Sequence, residues 1–189
     1  MLNVLNIYAS LNGQTRKVSR EIERACAEQG CTVTSLDVAG QEHPYDLLAP
    51  NLTFIGSGVY TWLPGKPMLQ WIDRQLKHAR EHELIKPGSP RLPGRFACAY
   101  CTYAGPHTGE AEAIPALKYM EQLFDHLGIP VVAEWTIPGA FIPKKMRFMN
   151  VLGRLGDISD RPNAHDLSEI REKVRGLVLS LEAAMAGLK

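Results

Sequence analysis

Apolar and polar positions follow two rhythms along this chain. Residues 3–9, NVLNIYA, form a short apolar run closing at Ser10, which predicts a buried strand and then a loop. Over 15–29 the apolar positions Val18, Ile22 and Ala25/Cys26 recur at helical spacing, and Gly30 stands where a C-cap glycine belongs. TVTSLDV at 32–38 predicts a second strand. LTFIG at 52–56 predicts a third, after turn chemistry at His43-Pro44 and Pro50-Asn51. Met68, Trp71/Ile72 and Gln75/Leu76 predict a helix over 67–83, and KPGSPRLPG at 86–94 an irregular loop. RFACAYC at 95–101 is apolar throughout and reads as a central fourth strand. Ile114, Leu117, Met120, Leu123/Phe124 and Leu127 share one side of a helix over 113–127, which Gly128 and Pro130 stop. VVAEWTI at 131–137 is the fifth strand. A last helix runs from about 166 to 186, with Leu167, Ile170, Val174, Leu177/Val178, Leu181 and Met185 inward.

Five alternations of strand and helix predict an α/β fold, a three-layer sandwich with helices on both faces of a five-stranded parallel sheet. Right-handed crossovers leave few topologies, and the order 2-1-3-4-5 suits five strands. A chain of 189 residues fits a single domain over 1–189, and 45% hydrophobic with 22% charged residues is a globular balance. A formal net charge of +1 offers no basic stripe, so no nucleic-acid partner is expected. The opening MLNVLNIYAS lacks the basic region and cleavage pattern of a secretion signal, and no apolar run approaches the roughly 18 residues of a membrane span. The expectation is a cytoplasmic protein with reduced cysteines. Cys98 and Cys101 form a CxxC, but inside a strand, where alternation sends the two side chains to opposite faces. They are expected in the core, not in a disulfide or a metal site.

In a sheet of this order, ligands bind beyond the carboxyl ends of the strands, between the first and the third. The loops at 10–15, 57–66 and 102–110 therefore carry the candidate chemistry. Ser10, Asn12, Gly13, Gln14 and Thr15 combine hydroxyls, carboxamides and a glycine at the start of a helix, where free N–H groups cradle a phosphate. Ser57, Gly58, Val59, Tyr60, Thr61 and Trp62 put two aromatics in a loop bounded by glycine and proline. Thr102, Tyr103, Ala104, Gly105, His107 and Gly109 add a third aromatic, backbone donors and one titratable group. A flat ligand with a phosphate tail engages all three loops, its tail at 10–15 and its ring between Trp62 and Tyr103. Flavin mononucleotide (FMN) has that shape.

Other chemistries on similar folds lack their residues here. No G-x-G-x-x-G follows the first strand, and no G-x-x-x-x-G-K-[ST] occurs. Ala9-Ser10 and Gly56-Ser57 stand where response-regulator receivers need acids. The residues six beyond Cys26, Cys31, Cys98 and Cys101 are Thr32, Asp37, Ala104 and His107, so the Cys-x5-Arg of tyrosine phosphatases is absent.

The loop Ser10-Leu11-Asn12-Gly13-Gln14-Thr15 resembles the Ser/Thr-x-Thr-Gly-x-Thr phosphate loop of the flavodoxin family, with Asn12 replacing the usual Thr. The segment from Gly56 and the segment 102–109 are similar, in order, to that family's two ring-binding loops. The resemblance spans about residues 3–137 plus the last helix. It implies a flavodoxin-like fold, noncovalent FMN, and electron transfer with a small-molecule or protein redox partner. By the same resemblance, residues 10 and 12–15 contact phosphate and residues 57–62 and 102–109 contact the ring. Backbone N–H groups of 102–109 and a cationic His107 then stabilise negative charge on the reduced ring, which makes His107 the candidate catalytic residue. Related flavin enzymes often pair, so a homodimer is also implied. Asn-Gly-Gln-Thr-Arg-Lys further resembles the loop of menaquinone-dependent protoporphyrinogen oxidases, flavodoxin relatives with Asp at the first position. Carrier flavodoxins are typically acidic and are steered by that charge to basic partners, whereas a net charge of +1 favours an oxidoreductase acting on a small molecule.

The connection at 138–165 is long and rich in Pro, Met and basic residues. Over 140–155 it reads as a short basic amphipathic helix. It serves either as a lid or subunit interface, or as a peripheral membrane contact through 141–155.

Overall fold

A computed structural model describes residues 1–41 and 43–187. In chain order the elements are β1 (Asn3–Ala9), α1 (Gln14–Glu28), β2 (Thr32–Asp37), β3 (Leu52–Tyr60), β4 (Leu63–Pro64), α2 (Lys66–Glu81), β5 (Phe96–Tyr103), α3 (Ile114–His126), β6 (Val131–Pro138), α4 (Met149–Leu152) and α5 (Ala164–Ala186). The parallel sheet runs β2-β1-β3-β5-β6, and β4 is a short antiparallel return on the end of β3. With β4 set aside, this is the expected order 2-1-3-4-5.

Alternation along the strands fills two cores. Ile7, Ile55 and Ala99 face α2 and α3, where Trp71, Met68, Leu117 and Phe124 are fully buried. Val4, Phe54 and Tyr100 face α1 and α5, against Val18, Ile22, Val174 and Val178. Cys98 belongs to the second core and Cys101 to the first, so the CxxC straddles the sheet and both thiols are free. Burial pushes both thiols up, so neither is an available thiolate. Helix ends follow the sequence signals. After α1, Cys31 N–H donates to the Cys26 carbonyl and Gly30 N–H to that of Ala27, a Schellman stop with Gly30 at φ 78°. Asn163 and Asp166 form a reciprocal capping box at the start of α5.

Two expectations need correction. Residues 57–60, read as loop, continue β3, and Thr102 and Tyr103 continue β5. Gly58, which suggests a loop, and Gly56 before it instead make room for aromatic rings. A Cβ on Gly56 would lie 2.0 Å from the ring of Tyr100 on the paired strand, and one on Gly58 would lie 3.0 Å from Tyr60. The stretch 140–155 is not one amphipathic helix. It folds as a single 3-10 turn at Lys144–Met146 and the short α4, because Pro143 and Gly153 bound it and Asn150 bonds both backbone groups of Phe141.

Candidate functional site

The carboxyl ends of β1, β3 and β5 open into one cleft of about 500 Å3, mostly apolar, within the size range of small-molecule sites. Its floor is the start of α1. Gly13 takes φ 86°, which turns the chain so that α1 begins without a side-chain cap. Arg16 N–H donates to Ser10 Oγ at 3.0 Å, which leaves that hydroxyl's own proton free. Among the described residues, the N–H groups of Asn12, Gly13, Gln14 and Thr15 meet no protein acceptor. Four successive donors with the positive end of a helix dipole form an anion cradle. Two side chains of this loop serve structure instead. Thr15 Oγ1 is buried against Thr102 Oγ1 at 2.8 Å, and Gln14 Nε2 donates to the Arg161 carbonyl at 3.1 Å.

The second wall is a hairpin. Tyr60 pairs with Leu63, so Thr61 and Trp62 alone make the turn, at φ 49° and 65°. Positive φ at both central residues is the I′ turn, which favours Asn-Gly. A β-branched residue and a tryptophan there are strained, and such strain gathers at ligand clamps. The turn carries Trp62, 57% exposed, at the cleft. Tyr60 braces the turn, with its ring over Gly58 and Gly65 and its hydroxyl accepting from Asn12 Nδ2 at 3.4 Å. Partial burial pushes this phenol up. Ser57 lies beneath, outside the cleft. Its hydroxyl accepts Gly65 N–H and donates to the Gly58 carbonyl.

The third wall is 102–109. Tyr103 borders the cleft but is only 6% exposed and packs in the α2/α3 core, so it is not the free stacking partner expected opposite Trp62. Burial, then Glu110, raises its phenol to about 12. Gly105 is obligatory, because a Cβ there would lie 2.5 Å from the Gly109 carbonyl oxygen. Gly109 sits under Leu155 and does not line the cleft. The donors expected to face a reduced ring are partly committed. His107 N–H and Thr108 N–H both donate to Glu112 Oε1 at 2.8 Å. Nothing in the sequence singles out Glu112, which brings a carboxylate to the cleft beside the exposed His107.

The fourth wall is the long connection, with Gly139, Ala140, Phe141, Pro143, Met146 and Met149 lining the cleft. Its length and methionines are visible in the sequence, but their placement over the cleft is not. The connection is pinned by Gly139 N–H to the Tyr103 carbonyl and by Arg154 N–H to that of Pro106. Among the described residues no group of His, Cys, Asp and Glu could hold a metal ion.

No known family profile matches the chain, and no curated protein matches it in sequence. Solved structures do match in fold. Flavodoxin 1 from Bacillus cereus has a TM-score of 0.64 at 13% identity, over 93% of this chain and 97% of that one. A flavodoxin from Streptococcus pneumoniae TIGR4 has 0.62 at 13%, over 94% and 98%. A WrbA-like flavodoxin from Agrobacterium tumefaciens has 0.60 at 14%, over 97% and 99%. The fold is therefore flavodoxin-like.

Proposed function

We propose that this protein binds FMN noncovalently in the cleft and exchanges electrons with a redox partner. The observation that carries this reading is the meeting, on one apolar cleft, of an exposed tryptophan with an acceptorless N–H cradle of which Asn12, Gln14 and Thr15 line the cleft. The residues fit the cofactor. N–H groups of residues 12–15, with Ser10 Oγ, hold a phosphate, and the Thr61–Trp62 turn offers a flat face to the ring. FMN supplies one- or two-electron transfer when bound.

The chain's own residues set its surroundings. Tyr60 links the tryptophan hairpin to the loop at 10–15 through a long bond from Asn12. Glu112 fixes the third loop by holding His107 and Thr108 N–H groups. It also sets a negative charge at the cleft wall, which opposes further negative charge there. Phe141, Met146 and Met149 keep water from one side.

The enclosing fourth wall supports a small molecule over a protein as the direct redox partner. The test is an anaerobic reductive titration of the FMN-loaded protein, followed by reoxidation with a small quinone or with a c-type cytochrome. Reversible bleaching of the flavin bands with one flavin per chain, and faster turnover with the quinone, is the expected result. A colourless protein that takes up no FMN refutes the redox reading. Reversible electron uptake without turnover of small acceptors identifies a carrier instead.

A further inference from the structure

We propose that segment 141–155 docks this protein reversibly on an anionic lipid bilayer. The segment is a fixed element. Asn150, 4% exposed, closes it: Oδ1 accepts Phe141 N–H at 2.8 Å, Nδ2 donates to the Phe141 carbonyl at 3.1 Å, and the Asn150 carbonyl accepts Ile158 N–H at 2.9 Å. Near the far end, Arg154 N–H donates to the Pro106 carbonyl at 2.9 Å. These bonds tie the segment to itself and to the 102–109 wall.

On this frame the side chains divide. Phe141, Pro143, Met146 and Met149 line the cleft. Ile142, Phe148, Val151 and Leu152 stand in water, with exposures of 40, 56, 56 and 80%. A backbone anchored this firmly has no need to hold four large apolar side chains outward, and such a cluster marks an interaction site. Lys144, Lys145, Arg147 and Arg154 are interleaved with them, and all four are exposed. The sequence has no acid from 138 to 156; Asp157 is the first. Among the described residues none of the four cations is in an ion pair.

Apolar side chains that enter the acyl boundary, with cations at the headgroup level, match an anionic leaflet. The patch is too small for the alternatives. A stable protein interface takes roughly 20–30 residues a side, whereas a lipid surface needs only an anchor and charge for reversible binding. No described helix is long and apolar enough to cross a membrane, so the contact is at the surface. Because the same segment walls the cleft, docking sets the cleft beside the bilayer. This inference does not depend on the identity of the cleft's ligand.

The test is co-sedimentation of the full chain with phosphatidylcholine vesicles and with vesicles that also contain phosphatidylglycerol. Each cation near an anionic surface contributes about fivefold, so affinity for the mixed vesicles should be at least tenfold higher and should fall as salt rises. Phe148→Ser/Leu152→Ser and Lys144→Glu/Lys145→Glu, all exposed positions outside the cleft lining, should each lower it about tenfold or more, with unchanged circular dichroism. If one pair fails to fold, the other decides. Equal binding to both vesicles, or retention of binding by a folded variant pair, overturns the proposal. So does a dimer abolished by Phe148→Ser/Leu152→Ser, or capture by immobilised polyglutamate, when either occurs without lipid binding.

Discussion

Trp62→Ala removes the most exposed aromatic side chain among the described residues that line the cleft. A tryptophan side chain carries up to about 250 Å2, and 57% of Trp62 is exposed, so about 140 Å2 is available to a ligand. At about 25 cal/mol per Å2 the ceiling is ~3.5 kcal/mol. Alanine substitutions at aromatic stacking platforms cost about 1–3 kcal/mol per stacked base, and a flavin ring is a comparable flat partner. The expected loss is therefore about 5–150-fold in FMN affinity. Fluorescence titration of FMN into the apoprotein measures it, and Trp62→Phe should recover most of the loss. The buried part of the ring adds at most ~2–3 kcal/mol to folding, so urea unfolding of the apoprotein checks that the variant remains folded. A dissociation constant within twofold of the parent would show that Trp62 does not face the ligand, and the hairpin would lose its assigned role.

Three further outcomes follow from the same geometry. Thr61→Asn replaces a β-branched residue at φ 49° with one that tolerates this conformation. It should stabilise the protein by about 1 kcal/mol, raising Tm by about 2–4 °C; an unchanged Tm would mean that the turn is unstrained. Gly56→Ala drives a Cβ into the Tyr100 ring between two central strands and should cost about 3 kcal/mol in urea unfolding. A loss under 1 kcal/mol would place that ring elsewhere. Alkali should also destabilise the fold. Burial raises Cys26 from 9.0 to about 12 and Tyr103 from 10.0 to about 12, so the folded chain keeps protons that the unfolded chain releases. Their contribution is whole below pH 9 and is lost as pH rises through 12. Urea midpoints should be flat from pH 7 to 9 and fall above it, and a midpoint that holds to pH 11 contradicts the assignment.

The layers of the fold are legible in the sequence because each element is amphipathic in its own period. Val18, Ile22 and Cys26 mark α1, and RFACAYC marks a strand buried on both faces. Gly30 and Gly128 mark helix ends, because both need a left-handed backbone after the last turn. The N–H cradle at the start of α1 is legible as composition, since glycine and small polar residues at a helix start are a local signal.

What escapes is long-range. Gly58 reads as a loop residue, yet like Gly56 it lies in β3, where the rings of Tyr60 and Tyr100 fill the space of the missing side chains. Only the partner ring distinguishes such a glycine from a flexible one. The commitment of His107 and Thr108 N–H groups to Glu112 is likewise invisible, because a carboxylate four or five residues away has no periodic signature. The connection after β6 announces itself by length and methionines. Its fold over the cleft depends on Asn150 reaching back to Phe141.

The central claim is that the start of α1 and the cleft above it together hold a phosphorylated planar ring. Calorimetric titration of the apoprotein with FMN and, in parallel, with riboflavin tests it most directly, since the two share the ring and differ in the phosphate. Charge-assisted bonds to the N–H cradle should make FMN bind one per chain and at least ~100-fold tighter than riboflavin. Equal affinity for the two, or no binding of either, would contradict the account.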